Sequence, residues 1–253
     1  MKKRSPGQKR AAPGGILAAM RGAYRGRLPP RYEHKLQDRY RALFEPSLRP
    51  GIRILDVGSG RQPTLLPEDR PAGTYYVGLD VSASELRKAP EGSYDRVVVS
   101  DVGDRVAELT GEFDLTLSWF VLEHVKRLDA AFSHMHSYLR PDGRLVVGFP
   151  GTFAGFALIN KIIPHRIGRW VLQKVYGRPP ESTFPAYYDR CWYSALERIL
   201  RPWDRWEIES YYIGASYFRF SRLIQALYVG YEEWTYLNDR RNLASYYLVT
   251  ATS

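Results

Sequence analysis

Short apolar runs recur through the first 150 positions of the chain: Ile52–Val57, Tyr75–Leu79, Arg96–Ser100, Phe113–Trp119 and Arg144–Phe149. Each ends in small, acidic or turn-forming residues, and most are separated by stretches that suit helices. Strands alternating with helices predict a parallel sheet covered on both faces. In such a sheet ligands sit outside the carboxyl ends of the strands, where the strand order reverses. Ahead of the first strand, Tyr32, Leu36, Tyr40, Leu43 and Phe44 return at helical spacing. They predict an amphipathic helix over 31–48 that stops at Pro50-Gly51.

After Pro150 the texture changes. Residues 170–253 carry five of the six Trp, twelve of the nineteen Tyr and three of the ten Phe. Here 206–212 and 245–252 read as strands with a helix-like 217–237 between them, and we take them as the last two strands of the same sheet. The expected organisation is a basic arm over 1–30 and one domain over 31–253. That domain comprises a first half to 150, a cap over 151–203, and the closing strands from 204. Residues 152–176 and 217–237 mix apolar faces with Trp, Tyr and Arg, a pattern compatible with core packing, an apolar pocket or a membrane interface.

Composition changes this picture in two places. A net charge of +10 invites a nucleic-acid partner, yet nine basic residues and no acidic one fall within 1–31 (Lys2, Lys3, Arg4, Lys9, Arg10, Arg21, Arg25, Arg27, Arg31). The remaining 28 basic residues face all 27 acidic ones, so the body is nearly neutral and a nucleic-acid partner is not expected. The arm, disordered over 1–14 by composition and removable without loss of ligand binding, is expected to touch an anionic membrane surface if it touches anything. A single cysteine, Cys191, excludes an internal disulfide and a thiolate metal cluster, and no metal is expected. The apolar run 15–20 is too short for a signal-peptide core, and no stretch of about 20 apolar residues is present. A reducing, cytoplasmic setting follows, with peripheral membrane contact as its variant; an Arg-rich transit peptide is the rival, weakened by the Gly and Pro residues.

The candidate chemistry lies at the strand ends. Ile54-Leu55-Asp56-Val57-Gly58-Ser59-Gly60 puts a glycine turn directly after the first strand, where a bare backbone admits a ligand closely. A dinucleotide fingerprint would need a third glycine where Pro63 stands. Asp80 closes the second strand 24 residues after Asp56, placed to accept ribose hydroxyls or to cap a following helix. Ser100-Asp101-Val102 closes the third, and Phe113–Ser118 leads into Val121-Leu122-Glu123-His124-Val125.

With Leu139-Arg140-Pro141-Asp142-Gly143-Arg144-Leu145 as the turn into the fifth strand, five motifs in this order resemble the class I S-adenosylmethionine-dependent methyltransferases, closely over 50–150 and loosely to the C-terminus. The small-molecule subgroup that includes quinone-biosynthesis enzymes is the nearest match. The resemblance implies an α/β fold: a Rossmann-like, seven-stranded, mostly parallel sheet with an N-terminal helical extension and an aromatic C-terminal cap. It implies S-adenosylmethionine as cofactor, held by Asp56, Gly58, Ser59, Gly60, Asp80, Val81, Asp101, Val102, Ser118 and Trp119. Gln62-Pro63 departs from the family pattern, which often has a third glycine there.

Methyl transfer from a sulfonium needs positioning above all, and a general base only where the acceptor must lose a proton. His124 is the candidate base, with a structural histidine as its alternative. His165 and Tyr187, Tyr188 and Arg190, which follow Arg178-Pro179-Pro180, are the candidate substrate residues. The expected reaction is O-methylation of a small molecule with a sugar, glycolipid or polyketide-like scaffold; a quinone-type carbon acceptor stays open. An RNA or DNA methyltransferase tethered by the arm and a non-catalytic cofactor-binding protein are the alternatives. No N/D-P-P-Y/F motif stands after the fourth strand, where Ser118-Trp119-Phe120-Val121 is found.

Overall fold

The computed structural model describes residues 15–155, 157 and 185–253. Seven strands arise from the seven apolar runs: β1 (Arg53–Val57), β2 (Tyr75–Asp80), β3 (Arg96–Val99), β4 (Phe113–Trp119), β5 (Leu139–Pro150), β6 (Arg205–Tyr211) and β7 (Tyr246–Thr252). They form one sheet in the order β3-β2-β1-β4-β5-β7-β6. β1 pairs in parallel with β2 on one side and β4 on the other, placing Asp56 level with Gly78 and Leu117, and Val57 level with Leu79 and Ser118. The order therefore reverses between β1 and β4, the place where such a sheet opens a crevice.

β7 runs against its neighbours. Gly151 N donates to Ser245 O and Ser253 N to Gly143 O, while Asp204 N donates to Thr252 O and Ser245 N to Tyr211 O. Numbers rise on one strand as they fall on the other, so β7 is antiparallel to both β5 and β6 in an otherwise parallel sheet. β5 starts earlier than the expected 144. Leu139–Gly143, read as a turn, extends the strand through an irregular register opposite Phe113 and Leu115, with Asp142 at φ +62°.

The chain divides into two compact units. The first, Leu36–Phe149 with Ala186–Ile208 and Leu248–Ser253, holds the parallel strands. Its core is the inward set of those strands, with Ile54, Leu55, Leu115, Leu117, Val146 and Val147 all fully buried. The amphipathic helix expected over 31–48 is shorter: α2 (Leu36–Phe44) turns 3₁₀ over Glu45–Ser47, because Pro46 has no N–H with which to continue it. α2 buries Tyr40, Leu43 and Phe44, and the Tyr40 hydroxyl donates to Val146 O at 3.3 Å.

The crossovers are less helical than the alternation predicts. α3 (Ala83–Arg87) follows β2 and α4 (Leu128–Tyr138) precedes β5, but the β3–β4 link holds only a 3₁₀ turn at Ala107–Leu109. Between β1 and β2 there is only a 3₁₀ turn, Pro67–Asp69. Pro63, Pro67 and Pro71 each remove a donor and push the preceding residue away from the helical region. A further helix, α5 (Tyr193–Ile199), belongs to this unit.

The second unit is Met1–Lys35, Pro150–Pro185 and Glu209–Tyr247. Within the arm expected over 1–30, the described part forms α1 (Gly15–Tyr24), packed against α6 (Arg222–Leu237). Ala23 is fully buried, and a Cβ at Gly230 would lie 2.6 Å from Met20 Sδ. The run Gly15–Met20, too short for a targeting core, is long enough to cover one stripe of a partner helix. Arg31, counted with the arm, ion-pairs with Glu233 and donates to Tyr212 O at 2.8 Å. Beside it the buried carboxylate of Glu232 accepts from Tyr32, Ser245 and the N–H of Gly214 and Ala215. The helix expected over 217–237 begins at Arg222, capped by Ser221. Most of 152–176 and Arg178-Pro179-Pro180 lie outside the described residues.

Candidate active site

The carboxyl ends of β1, β2, β3 and β4 all belong to the first unit, and the expected cofactor residues gather there. At the end of β1 the backbone turns through Gly58 (φ +75°) and Gly60 (φ +50°), conformations that L-residues with side chains rarely adopt. Gly58 is also sterically required. A Cβ there would lie 2.3 Å from Val121 Cγ2, on the chain leaving β4, so the two strand ends close against each other only through a bare backbone. Gly58 N donates to Leu79 O at 2.6 Å, stitching the turn to β2. Ser59 is buried within the turn.

Asp56 is fully buried one turn below and is occupied by protein donors. It accepts from Thr64 N at 2.7 Å, Thr64 Oγ1 at 2.8 Å and Tyr76 OH at 2.7 Å. Burial raises its carboxyl above the ordinary value, and these hydrogen bonds oppose that shift. Its geometry is that of a brace for the proline-rich crossover, which has no helix to hold it. The brace continues through two tyrosines that sequence reasoning passed over. Tyr94 stacks on Tyr76 with ring centroids 6.1 Å apart and donates to Gly60 O at 2.9 Å. Arg70 lies 3.7 Å over the Tyr76 ring and reaches Leu65 O and Ser93 O. Their sequence signal is Gly78 in mid-strand, where a Cβ would meet Tyr94 Cε1 at 2.6 Å.

Asp80, at the end of β2, is half-buried. Its Oδ1 accepts from Ser82 N at 2.8 Å, and its Oδ2 lies 3.4 Å from the point a Gly60 Cβ would occupy. Burial raises its carboxyl, and the N–H groups of Ser82 and Gly60 pull it back toward the ionised form. The cap of α3 is Ser82, whose Oγ accepts from Glu85 N at 3.3 Å, so Asp80 is not the capping residue. Arg61 bridges the glycine turn to α3 by a two-pronged pair with Glu85, at 2.6 and 2.9 Å; this bridge, with Lys88, lowers the Glu85 carboxyl to about 2. Val81 beside Asp80 is exposed. After β3, Asp101 Oδ1 accepts from Gly103 N at 2.7 Å and Val102 is buried.

On β4, Ser118 donates to Val57 O at 3.0 Å. Trp119 packs between Tyr40 and Phe120, with ring centroids at 4.5 and 4.7 Å. Phe120 sits at φ +57°, a strained value for a bulky residue, and its N–H donates to Gly148 O. The chain then makes a 3₁₀ turn, Leu122–His124. His124 is one-third exposed, with Nε2 3.8 Å from Glu123 Oε1. Glu123 is 5% exposed, its Oε2 has no hydrogen-bond partner, and burial pushes its carboxyl up to about 8. Sequence reasoning missed this carboxyl; its signal was a lone Glu flanked by Val121, Leu122 and Val125.

Of the substrate candidates, Tyr187 and Tyr188 are brought to the same turn. Both backbone N–H groups donate to Glu123 O, at 2.8 and 2.9 Å, and Tyr188 takes φ +51°. The exposed Tyr187 ring carries the Lys126 ammonium 5.3 Å from its centroid. Arg190 is held by Asp129 at 2.7 Å. It lines an open cavity of about 560 Å³ along α4 and α5, with Ser133, His136, Trp192 and Trp203. His165 lies outside the described residues.

The turn is thus a cradle in which two backbone positions are kept free of side chains, with a half-buried carboxylate facing one of them. Those features fit a nucleoside-bearing cofactor with ribose hydroxyls at Asp80 and a charged tail at the glycines.

A methyltransferase-domain family model matches residues 27–201. No curated protein matches the sequence. Among solved structures, the chain is similar to a SAM-dependent methyltransferase from Archaeoglobus fulgidus, with TM-score 0.51, 18% identity, 88% of this chain and 96% of that one. It is also similar to phosphoethanolamine N-methyltransferase 2 from Haemonchus contortus, solved with phosphomonomethylethanolamine and S-adenosylhomocysteine (TM-score 0.53, 16% identity, 85% of this chain). The chain spans about half of that protein's length, 52%. The [4+2]-cyclase SpnF is comparably similar, with TM-score 0.50, 15% identity, 94% of this chain and 93% of that one.

Proposed function

The chain belongs to the class I S-adenosylmethionine-dependent methyltransferases, and from that premise we propose that it O-methylates a small molecule with a sugar, glycolipid or polyketide-like scaffold. The observation that carries this reading is the placement of His124. A half-open imidazole stands on the turn leaving β4, whose preceding residue Val121 closes against Gly58 of the cofactor cradle.

S-adenosylmethionine supplies, when bound, a methyl group already activated on a sulfonium. The protein's share is orientation and proton management, and orientation alone is worth about 7–11 kcal/mol. In this proposal Asp80 accepts the ribose hydroxyls, Asp101 and Val102 receive the adenine, and Val81 gives it an apolar contact. Gly58, Ser59 and Gly60 pass along the methionine end, with Ser118 and Trp119 forming the floor. Asp56 acts at one remove, through Thr64 and Tyr76. His124 takes the acceptor's hydroxyl proton, and Glu123, whose carboxyl burial pushes up to about 8, disfavours a negative charge in the turn. Tyr187 and Tyr188 line the acceptor side. Cys191, buried and reduced in this proposal, implies a cytoplasmic setting.

The test separates cofactor from chemistry. Calorimetry with S-adenosylhomocysteine should detect binding to the wild type and a loss of at least tenfold in Asp80→Asn, which keeps the shape of the side chain. His124→Ala should lower turnover of hydroxyl acceptors by roughly 10²–10⁴-fold at unchanged cofactor affinity. A wild-type chain that binds no cofactor would overturn the whole reading, and a normal rate in His124→Ala would remove the base.

A further inference from the structure

Folding of the second unit leaves one feature that the reaction does not use. Along α6, Leu223, Leu227 and Trp234 are exposed by 60%, 56% and 41%, with Ile224 beside them and Phe220 just ahead of the helix at 59%. Offsets of three, four and seven residues put them on one stripe of the helix. The opposite side is committed to the interior: Gln225, Val229, Glu232 and Glu233 are buried, the last two held by Tyr32 and Arg31. Helix α1, packed against α6, adds exposed Leu17 (63%) and Tyr24 (57%) at its own seven-residue spacing.

Charge around this stripe has one sign. Arg21, Arg25 and Arg27 are exposed on and after α1, and Arg219 and Arg222 are exposed at the start of α6. Both acidic residues of α6 are buried, and Asp239 beyond its end is paired with Arg241 at 2.9 Å. No helix among the described residues is long and apolar enough to cross a membrane. An exposed apolar stripe rimmed by arginines is the pattern of a helix that lies in the plane of a bilayer surface, its apolar side at the acyl boundary and its cations among the headgroups.

We propose that α1 and α6 together form a docking face for an anionic lipid surface. A second copy of the chain is the other candidate occupant, and charge argues against it. A two-fold contact is self-complementary, so it would press arginines of one copy toward those of the other with no exposed acid in the stripe to meet them. An anionic membrane satisfies both features at once. This face is independent of the methyltransferase chemistry, and its test leaves that chemistry readable.

Flotation of the full chain would use phosphatidylcholine vesicles, with and without phosphatidylglycerol. The wild type should rise with anionic vesicles only and be released by high salt. Replacing Arg21 and Arg25 by Ala should lower the partition coefficient by roughly fivefold per arginine. Leu223→Asp with Leu227→Asp should abolish flotation while S-adenosylhomocysteine affinity and the circular-dichroism melting curve stay those of the wild type. Wild type left in the soluble fraction would overturn the proposal. So would the double aspartate variant floating as well as the parent. A wild-type dimer in sedimentation equilibrium that the same variant splits, without lipid binding, would assign the face to a second copy.

Discussion

The Tyr94 hydroxyl donates to the carbonyl oxygen of Gly60 at 2.9 Å, across 34 residues of chain. The same ring rests on Tyr76, whose own hydroxyl donates to Asp56. One stack of two phenols thus ties the start of the glycine turn to its end. In a doubly wound sheet this turn commonly runs straight into a helix whose first N–H groups organise it. Here prolines have taken the helix away, and side chains do the organising.

Removing that hydroxyl tests the arrangement. Tyr94→Phe keeps the ring, its stacking and the packing against Gly78, and deletes one hydrogen bond worth about 0.5–1.5 kcal/mol. S-adenosylhomocysteine affinity should fall roughly two- to tenfold by calorimetry, with little change in melting temperature. Equal affinity would mean that Gly60 holds its conformation without Tyr94.

Gly58 answers to two constraints, and they separate. Gly58→Ala introduces a side chain at φ +75° and a Cβ 2.3 Å from Val121 Cγ2, so the expected loss of stability is about 2–4 kcal/mol. Adding Val121→Ala removes the collision and leaves the backbone strain. The double variant should therefore be less unstable than the two single losses sum to, as read by urea unfolding. Strict additivity would show that the collision relaxes at no cost.

Glu123 makes stability depend on pH in a predictable direction. Its carboxyl lies at about 8 in the folded protein, against an ordinary 4.5, because burial disfavours the charged form. Between those values the folded state keeps a proton that the unfolded chain gives up, so stability falls as pH rises through this window and levels off above it. Glu123→Gln has no such proton to lose, and its stability should change less over the same range. Parallel unfolding midpoints for the two proteins from about pH 5 to 8 would contradict the burial of this carboxyl.

Much of the fold was legible from local pattern. The five apolar runs before residue 150 became β1 to β5, and the two after it became β6 and β7, with boundaries shifted by at most a few residues except at β5. Strands are readable in this way because burial on both faces leaves a continuous apolar run bounded by turn formers. Helices were less legible. Leu36–Phe44 stops short of the expected 48 because a single Pro46 outweighs the helical spacing of Leu36, Tyr40, Leu43 and Phe44, and 58–74 gave no α-helix because three prolines act together. In the basic arm the charge hid a second pattern: Ile16, Met20 and Ala23 give α1 one side to bury.

By itself the sequence determined that the chain is an alternating α/β protein with a bare turn after β1 and carboxylates at the ends of β1, β2 and β3. Those are properties of consecutive residues, and short-range chemistry dictates them. Tertiary structure alone decided which of these carboxylates the protein's own donors occupy. Asp56 and Asp80 both close strands at the same edge, yet Asp56 is spent on Thr64 and Tyr76 while Asp80 stays half-open beside Gly60. Glu123 reads in the sequence as one more acid and becomes a buried, proton-holding group only in the packed fold. Hydrogen-bond partners and dielectric surroundings arrive from residues tens of positions away, so a side chain's protonation and availability belong to the packed molecule and not to its place in the chain.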